Sequence, residues 1–150
     1  MGRSMKLSTR SRYGVRLMTD LADHYGRGPV LLKDIARRED ISEKYLSLIV
    51  IPLRTAGLIQ STRGARGGYR LAHKPEEISI ADILSVLEGG MCLVDCVQDP
   101  HVCSRVDSCP TRDVWTLLEE RMIQAMASIS LADLVRTRQQ KTDNILMSHI

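Results

Sequence analysis

The sequence predicts a mostly α-helical chain carrying one small β-hairpin. Three observations predict it. Apolar residues recur at helical spacing in successive stretches. Two short β-prone runs, 58–62 and 69–71, bracket a single glycine-rich loop. With 43% apolar residues, 150 residues can bury the core of one domain, or of a small domain plus an appendage. There is no Phe and one Trp, so that core is aliphatic and filled by Met.

Taken in order, Tyr13, Val15, Leu17, Met18, Leu21, Ala22 and Tyr25 predict a helix over 11–25, ended by Gly26-Arg-Gly-Pro29. Leu32, Ile35 and Ala36 predict a short helix over 31–39. Asp40-Ile41 reads as a tight turn. Ser42 is placed as an N-cap, with Ile41 and Leu46 spaced as a hydrophobic staple. The helix from Glu43 carries Tyr45, Leu46, Ile49 and Leu53 on one face and ends at Ala56-Gly57. Pro52 lies inside it, and a mid-helix proline costs about 3 kcal/mol, so a kink or break is expected between Ile51 and Leu53. The strand–loop–strand 58–71 follows, with Arg63-Gly-Ala-Arg-Gly-Gly68 at its tip. Ser79 caps a helix through Ile80, Ile83, Leu84 and Leu87, stopped by Gly89-Gly90. A long irregular segment follows. From Thr111 to Ser128 a long helix is expected, with Val114, Trp115, Leu118, Met122, Ile123, Ala125 and Met126 as its stripe. A short final helix starts at Ser130, and the chain from Gln139 is expected to be loose.

The charge divides along the chain. Residues 1–75 hold 15 Lys/Arg and 6 Asp/Glu, whereas residues 76–150 hold 6 and 12. A basic half joined to an acidic half points to a polyanionic partner for the first half alone. Two short helices, a tight turn and a basic hairpin form a winged helix-turn-helix pattern. Its second helix suits the major groove of double-stranded DNA and its wing the minor groove. The candidate contacts on that helix are Ser42, Glu43, Lys44, Tyr45, Ser47, Leu48 and Arg54. Those on the wing are Arg63, Gly64, Arg66, Gly67 and Gly68. The helix residues offer hydroxyl, carboxylate and cationic groups to base edges and phosphates, and the wing glycines let backbone approach a sugar-phosphate. Inserted Arg suits a narrow, electronegative minor groove.

All four cysteines, Cys92, Cys96, Cys103 and Cys109, lie in the irregular segment. Such a run has little else to bury, and a structureless loop of that length calls for a ligand of its own. Gathered thiolates bind a metal or a cluster, or form disulfides. Cys109 precedes Pro110 at a helix start, a place that favours thiolate.

The order of these pieces resembles the IscR/NsrR group of the Rrf family of bacterial regulators. The motifs are Leu7-Ser-Thr-Arg-Ser-Arg-Tyr13-Gly14, Ile41-Ser42-Glu-Lys-Tyr45-Leu46, Leu53-Arg54-Thr-Ala-Gly57-Leu58-Ile59, Arg63 to Leu71 and Ile80-Ala-Asp-Ile83, followed by the cysteines. The resemblance implies a homodimeric winged-helix repressor or activator on a pseudo-palindromic operator. The helix 111–128 would form the dimer interface, and three cysteines would ligate an iron–sulfur cluster that sets DNA affinity. Cys96, Cys103 and Cys109 match that pattern with one residue inserted in the first gap, and Cys92 is an additional thiol. A His completes the set in IscR-like members and an Asp in NsrR-like members; the matching positions here are Arg112 and Arg12. Cys92 could supply the fourth ligand and His101 a nitrogen, while Asp95, Asp99 and Asp107 read as turn-formers. A [2Fe-2S] cluster is favoured over [4Fe-4S]. Structural zinc is an alternative, although gaps of three, six and five residues lack paired Cys-x2-Cys knuckles. A metal-free thiol or disulfide switch is another.

The expected organisation is a winged helix-turn-helix domain over 5–78, a connecting helix and cysteine loop over 79–110, a dimerisation helix and short final helix over 111–138, and a flexible tail over 139–150. No membrane span, signal peptide or small-molecule substrate site is expected, which points to the cytoplasm. His24, His73, His101 and His149 are scattered and no nucleophile–base motif occurs, so an enzyme is not expected. A cluster-carrying interaction protein without DNA binding is the alternative of another class.

Overall fold

The computed structural model describes residues 6–149. The expected domain start at Met5 and the chain end at Ile150 lie outside the described residues. Seven α-helices and one hairpin follow in order. They are α1 (Thr9–Asp23), α2 (Leu32–Glu39), α3 (Glu43–Thr55), β1 (Ile59–Thr62), β2 (Gly68–Leu71), α4 (Ile80–Glu88), α5 (Asp95–Gln98), α6 (Pro110–Ala127) and α7 (Leu131–Ser148). The mostly helical class with one antiparallel hairpin is as the sequence predicts.

Four of the seven helices, α1, α3, α4 and α7, start on a serine. Ser8 Oγ accepts the Ser11 N–H at 3.1 Å, and Ser42 Oγ accepts the Tyr45 N–H at 3.0 Å. Ser79 with Asp82 and Ser130 with Asp133 form reciprocal capping boxes on α4 and α7. Asp40 turns the chain between α2 and α3 at φ 52, a left-handed position that Asp tolerates. Leu17, Met18 and Leu21 of α1, Ile35 of α2 and Leu46, Ile49 and Leu53 of α3 are fully buried together with Ile59, Ile83 and Leu131. Gly14 lets this core close: a Cβ there would stand 2.1 Å from Leu87 Cδ1.

The hairpin pairs Ile59 with Leu71 and Thr62 with Gly68. Its second strand is tied near the turn to the α1–α2 connection, where Val30 and Tyr69 exchange two backbone hydrogen bonds of 2.8 Å each. Gly68 is required at that junction. Its φ is +151, and a Cβ would fall 2.3 Å from the Val30 carbonyl oxygen.

Four sequence expectations are corrected. First, the break expected as one outcome at Pro52 does not occur: α3 continues from Glu43 to Thr55. The proline forfeits its own donation to the Leu48 carbonyl, on a residue that is itself exposed. Second, α7 is not short: it continues to Ser148, so residues expected to be loose from Gln139 are helical. Leu131 at its start is buried in the core, and antiparallel bonds from Ile80 N to Ile129 O and from Leu131 N to Ile78 O, 2.9 Å each, join its entry to that of α4. Third, the cysteine segment contains α5 and two 3-10 turns, Pro100–Val102 and Val106–Ser108. Fourth, the expected apolar stripe of α6 divides. Met122 and Met126 are half-buried, with Arg112, Thr116 and Glu119 on the same side, while Val114, Trp115, Leu117, Leu118 and Ile123 are exposed.

Candidate nucleic-acid interface and cysteine loop

The first site is the face made by α3 and the wing. A groove of about 650 Å³ runs between them, bounded by Lys33, Glu43, Arg54, Arg63, Gly64 and Gly68 among others. Its shape follows from the turn Gly64–Gly67, closed by Gly67 N–H to Gly64 C=O at 2.9 Å. Gly67 is forced there, since a Cβ would meet the Thr62 carbonyl oxygen at 2.2 Å.

Some arginines away from this face are committed to acids within the fold. Arg16, Arg38 and Arg138 are spent on internal acids: Arg38 grips buried Asp20 through two bonds of 2.7 and 2.8 Å, and Arg16 pairs with Glu39 at 3.2 Å. Among the described residues no salt bridge engages Lys33, Lys44, Arg54, Arg63 or Arg66, and all five are exposed. These uncommitted charges form a positive surface suited to a phosphate backbone.

Along α3, Ser42, Glu43, Lys44, Ser47 and Leu48 are exposed, as expected of a reading face. The Ser47 hydroxyl donates to the Lys44 carbonyl at 2.6 Å. Tyr45 is half-buried and packs edge-on against Tyr13, with ring centroids 5.6 Å apart. Two residues escaped the sequence reading. Lys33, on α2, enters the groove only through the fold, and Ile51 is exposed beside Leu48 because Pro52 does not interrupt the helix.

The second site is the loop between α4 and α6. All four thiols are free; Cys92 and Cys103 are exposed, Cys96 and Cys109 half-buried. The loop lies on α6: Arg112 Nε donates to the Cys96 carbonyl at 3.0 Å, and Glu119 Oε2 accepts the Leu93 N–H at 3.0 Å. Cys92 donates to the Val94 carbonyl at 3.1 Å. Desolvation, then the nearby Glu119 and Asp95 carboxylates, pushes the Cys92 thiol above its ordinary pKa. Cys109 stands at the N-cap of α6, 3.1 Å from Thr111 Oγ1. That hydroxyl, then the Arg112 backbone N–H, holds Cys109 below the ordinary thiol value.

Comparison with known proteins places the chain. A model of the Rrf2 family, described as an iron-dependent transcriptional regulator, matches residues 7–137. The chain belongs to the Rrf2 family. It is 46% identical over 132 residues to protein rrf2 of Nitratidesulfovibrio vulgaris, covering 88% of each. Two solved Rrf2-like folds superpose closely. CymR, the global cysteine regulator of Bacillus subtilis, gives a TM-score of 0.76 at 38% identity, covering 89% of this chain and 98% of that one. IscR of T. potens gives 0.75 at 39%, covering 92% and 91%. The protein is therefore a DNA-binding transcriptional regulator of the Rrf2 family and not an enzyme. No helix among the described residues is long and apolar enough to cross a membrane.

The cysteine loop suits a metal or cluster in donor chemistry, with four free thiols in one segment. Its conformation does not bring those donors together: among the described residues, no three His, Cys, Asp or Glu groups stand close enough to hold a metal ion. Assembly of a site would need the loop to change shape.

Proposed function

We propose that this Rrf2 regulator acts in the cytoplasm as a homodimer on a pseudo-palindromic operator, with DNA affinity set by the chemical state of the cysteine loop. The observation that carries this reading is the loop's place in the chain. It is the whole connection between α4, packed on α1 and α3 of the DNA-reading half, and α6, whose apolar face is exposed. A change in loop shape alters how two reading heads are spaced, and half-sites lie one helical turn or a multiple apart. The regulator then shifts between conformations of unequal DNA affinity.

On DNA, Lys44, Arg54, Arg63 and Arg66 take phosphates or the minor groove. Ser42, Glu43, Tyr45, Ser47 and Leu48 face the major groove, where Leu48 can meet a thymine methyl. Gly64, Gly67 and Gly68 let the wing backbone come close. Cys96, Cys103 and Cys109 would hold an iron–sulfur cluster, [2Fe-2S] in preference to [4Fe-4S]. Cys92 is the remaining thiol for the fourth position, in surroundings that favour its protonated form. Such a cluster, when bound, supplies one-electron redox chemistry.

A metal-free thiol switch is the second reading, favoured by the separation of the thiols and the lowered pKa of Cys109. Structural zinc would use the same thiols. Anaerobic purification with absorbance and Mössbauer spectra and iron and zinc analysis separates the three. DNA titration of cluster-loaded protein and of a Cys96, Cys103, Cys109→Ala variant tests the coupling; identical affinities would rule it out.

A further inference from the structure

Arg112 stands at the position where the family resemblance offers a histidine ligand. A guanidinium stays protonated at any accessible pH and cannot donate a nitrogen lone pair as imidazole does. In this fold it has another task. Its Nε donates to the Cys96 carbonyl at 3.0 Å, and it is half-buried beneath the loop. Glu119 follows seven residues later, about two turns and 10 Å further along the same face of α6. Its carboxylate accepts the Leu93 N–H at 3.0 Å. Gln98 Nε2 then closes the segment on itself with a bond to the Met91 carbonyl at 3.1 Å.

We infer that Arg112 and Glu119 are positioning residues of the cysteine loop: together they clamp the segment 93–96 along α6 and set where Cys96 stands relative to Cys109. This rests on the reading of the loop as the sensing segment. Cys109 is itself the N-cap of α6, and Arg112 is the third residue of that helix, so both half-buried cysteines are referenced to one helix start. Cys103 is not. Among the described residues, the hydrogen bonds of 99–108 run within that stretch or to Asp95 of α5, and Cys103 is exposed. The clamp therefore divides the loop into a fixed pair, Cys96 and Cys109, and a span bearing Cys103 that must approach it for a Cys96, Cys103 and Cys109 site or any Cys103 disulfide to form.

The test uses the full chain, reduced and metal-free under anaerobic conditions. Alkylation by iodoacetamide is followed at each cysteine by peptide mapping. Arg112→Ala and Glu119→Ala are each expected to raise the rate at Cys96 about fivefold, the net loss of one ordinary hydrogen bond, with Cys103 unchanged. Arg112→Lys restores part of the protection. Glu119→Gln keeps an acceptor oxygen and should resemble the wild type. Circular dichroism identifies variants that fail to fold, and either alanine variant alone suffices. A folded alanine variant with the wild-type rate at Cys96 overturns the clamp. Titration with Co2+ then addresses the sensing role. Arg112→Ala should weaken Co2+ binding five- to tenfold, read from sulfur-to-cobalt charge-transfer absorbance, while a Cys92→Ser, Cys103→Ser double variant should abolish the three-thiol spectrum. Absence of that spectrum in wild type counts against the metal reading alone, because the alkylation rates decide the clamp without it.

Discussion

Arg138 of α7 donates from Nη2 to Glu39 Oε1 at 2.8 Å, joining the last helix to the end of α2, 99 residues earlier in the chain. Its Nη1 reaches Asp23 Oδ2 at 3.0 Å, at the end of α1. One guanidinium thus bridges two acids at the C-terminal ends of α1 and α2. Glu39 is only 8% exposed, and Arg16 is its other partner. Replacing Arg138 by Ala leaves a nearly buried carboxylate half-compensated, which should cost about 1–2 kcal/mol. Urea unfolding measures it. A midpoint equal to wild type would mean that the bridge contributes nothing.

Glu88 gives a pH-dependent counterpart. It ends α4 and accepts both the hydroxyl and the N–H of Ser8, at 2.7 and 3.0 Å, tying α4 to the N-cap of α1. Its pKa is lowered by the Ser11 hydroxyl and then by Ser8. Ser8 makes the bonds; buried Ser11 Oγ meets no partner in hydrogen-bond geometry and acts as a nearby dipole. A carboxylate with a depressed folded pKa stabilises fully above its unfolded value of about 4.3. That contribution fades as pH falls through the lower folded value. Glu88→Gln keeps an acceptor but not the charge. The stability gap between wild type and variant should therefore be constant from pH 8 to 6 and shrink below about pH 4. A gap independent of pH across that range would show that the charge on Glu88 is immaterial.

Much of this was legible in the sequence because the signals are local. Ser42, Ser79 and Ser130 each announce a helix through their own next three residues, and the glycines at 64, 67 and 68 mark a wing because few other residues fit that turn. What escaped depended on distant partners. Nothing near Gln139 says that α7 continues, because its polar composition lacks an apolar stripe; its anchors are Leu131 in the core and Arg138 on α1 and α2. The α6 stripe read as one face, since periodicity cannot tell an inward Met122 from an outward Leu118 only four residues earlier. The thiols were legible as a group, but the contacts of Arg112 and Glu119 with the loop have no sequence signature.

The wing should reveal itself through salt. Arg63 and Arg66 are exposed, lie on or beside the Gly64–Gly67 turn and engage no acid among the described residues. If each meets a phosphate, Arg63→Ala or Arg66→Ala should weaken DNA binding severalfold irrespective of sequence and lower the log–log salt slope by about 0.9. Fluorescence anisotropy at several salt concentrations checks this. Gly68→Ala should act differently: its Cβ would strike the Val30 carbonyl, so the wing tilts and affinity falls while the salt slope follows whichever cations remain in reach. Unchanged slopes in both arginine variants would remove the wing from the interface.

The exposed face of α6 sets the last expectation. None of its 18 residues is buried within the protomer, and Val114, Leu117 and Leu118 place branched apolar groups in water together on adjacent turns. Contiguous apolar surface of this kind marks a partner site, and in the proposed homodimer a second copy would cover it with the same helix. Covering each such side chain is worth about 1.5–3 kcal/mol, so a glutamate in their midst should dissociate the pair. Leu118→Glu is expected to sediment as a folded monomer, because half-buried Met122 and Met126 lie on the inward side of α6. Its affinity for a two-half-site operator should fall more than tenfold, while a single half-site binds as before. A dimer that survives Leu118→Glu at micromolar concentration would place the interface elsewhere than on α6.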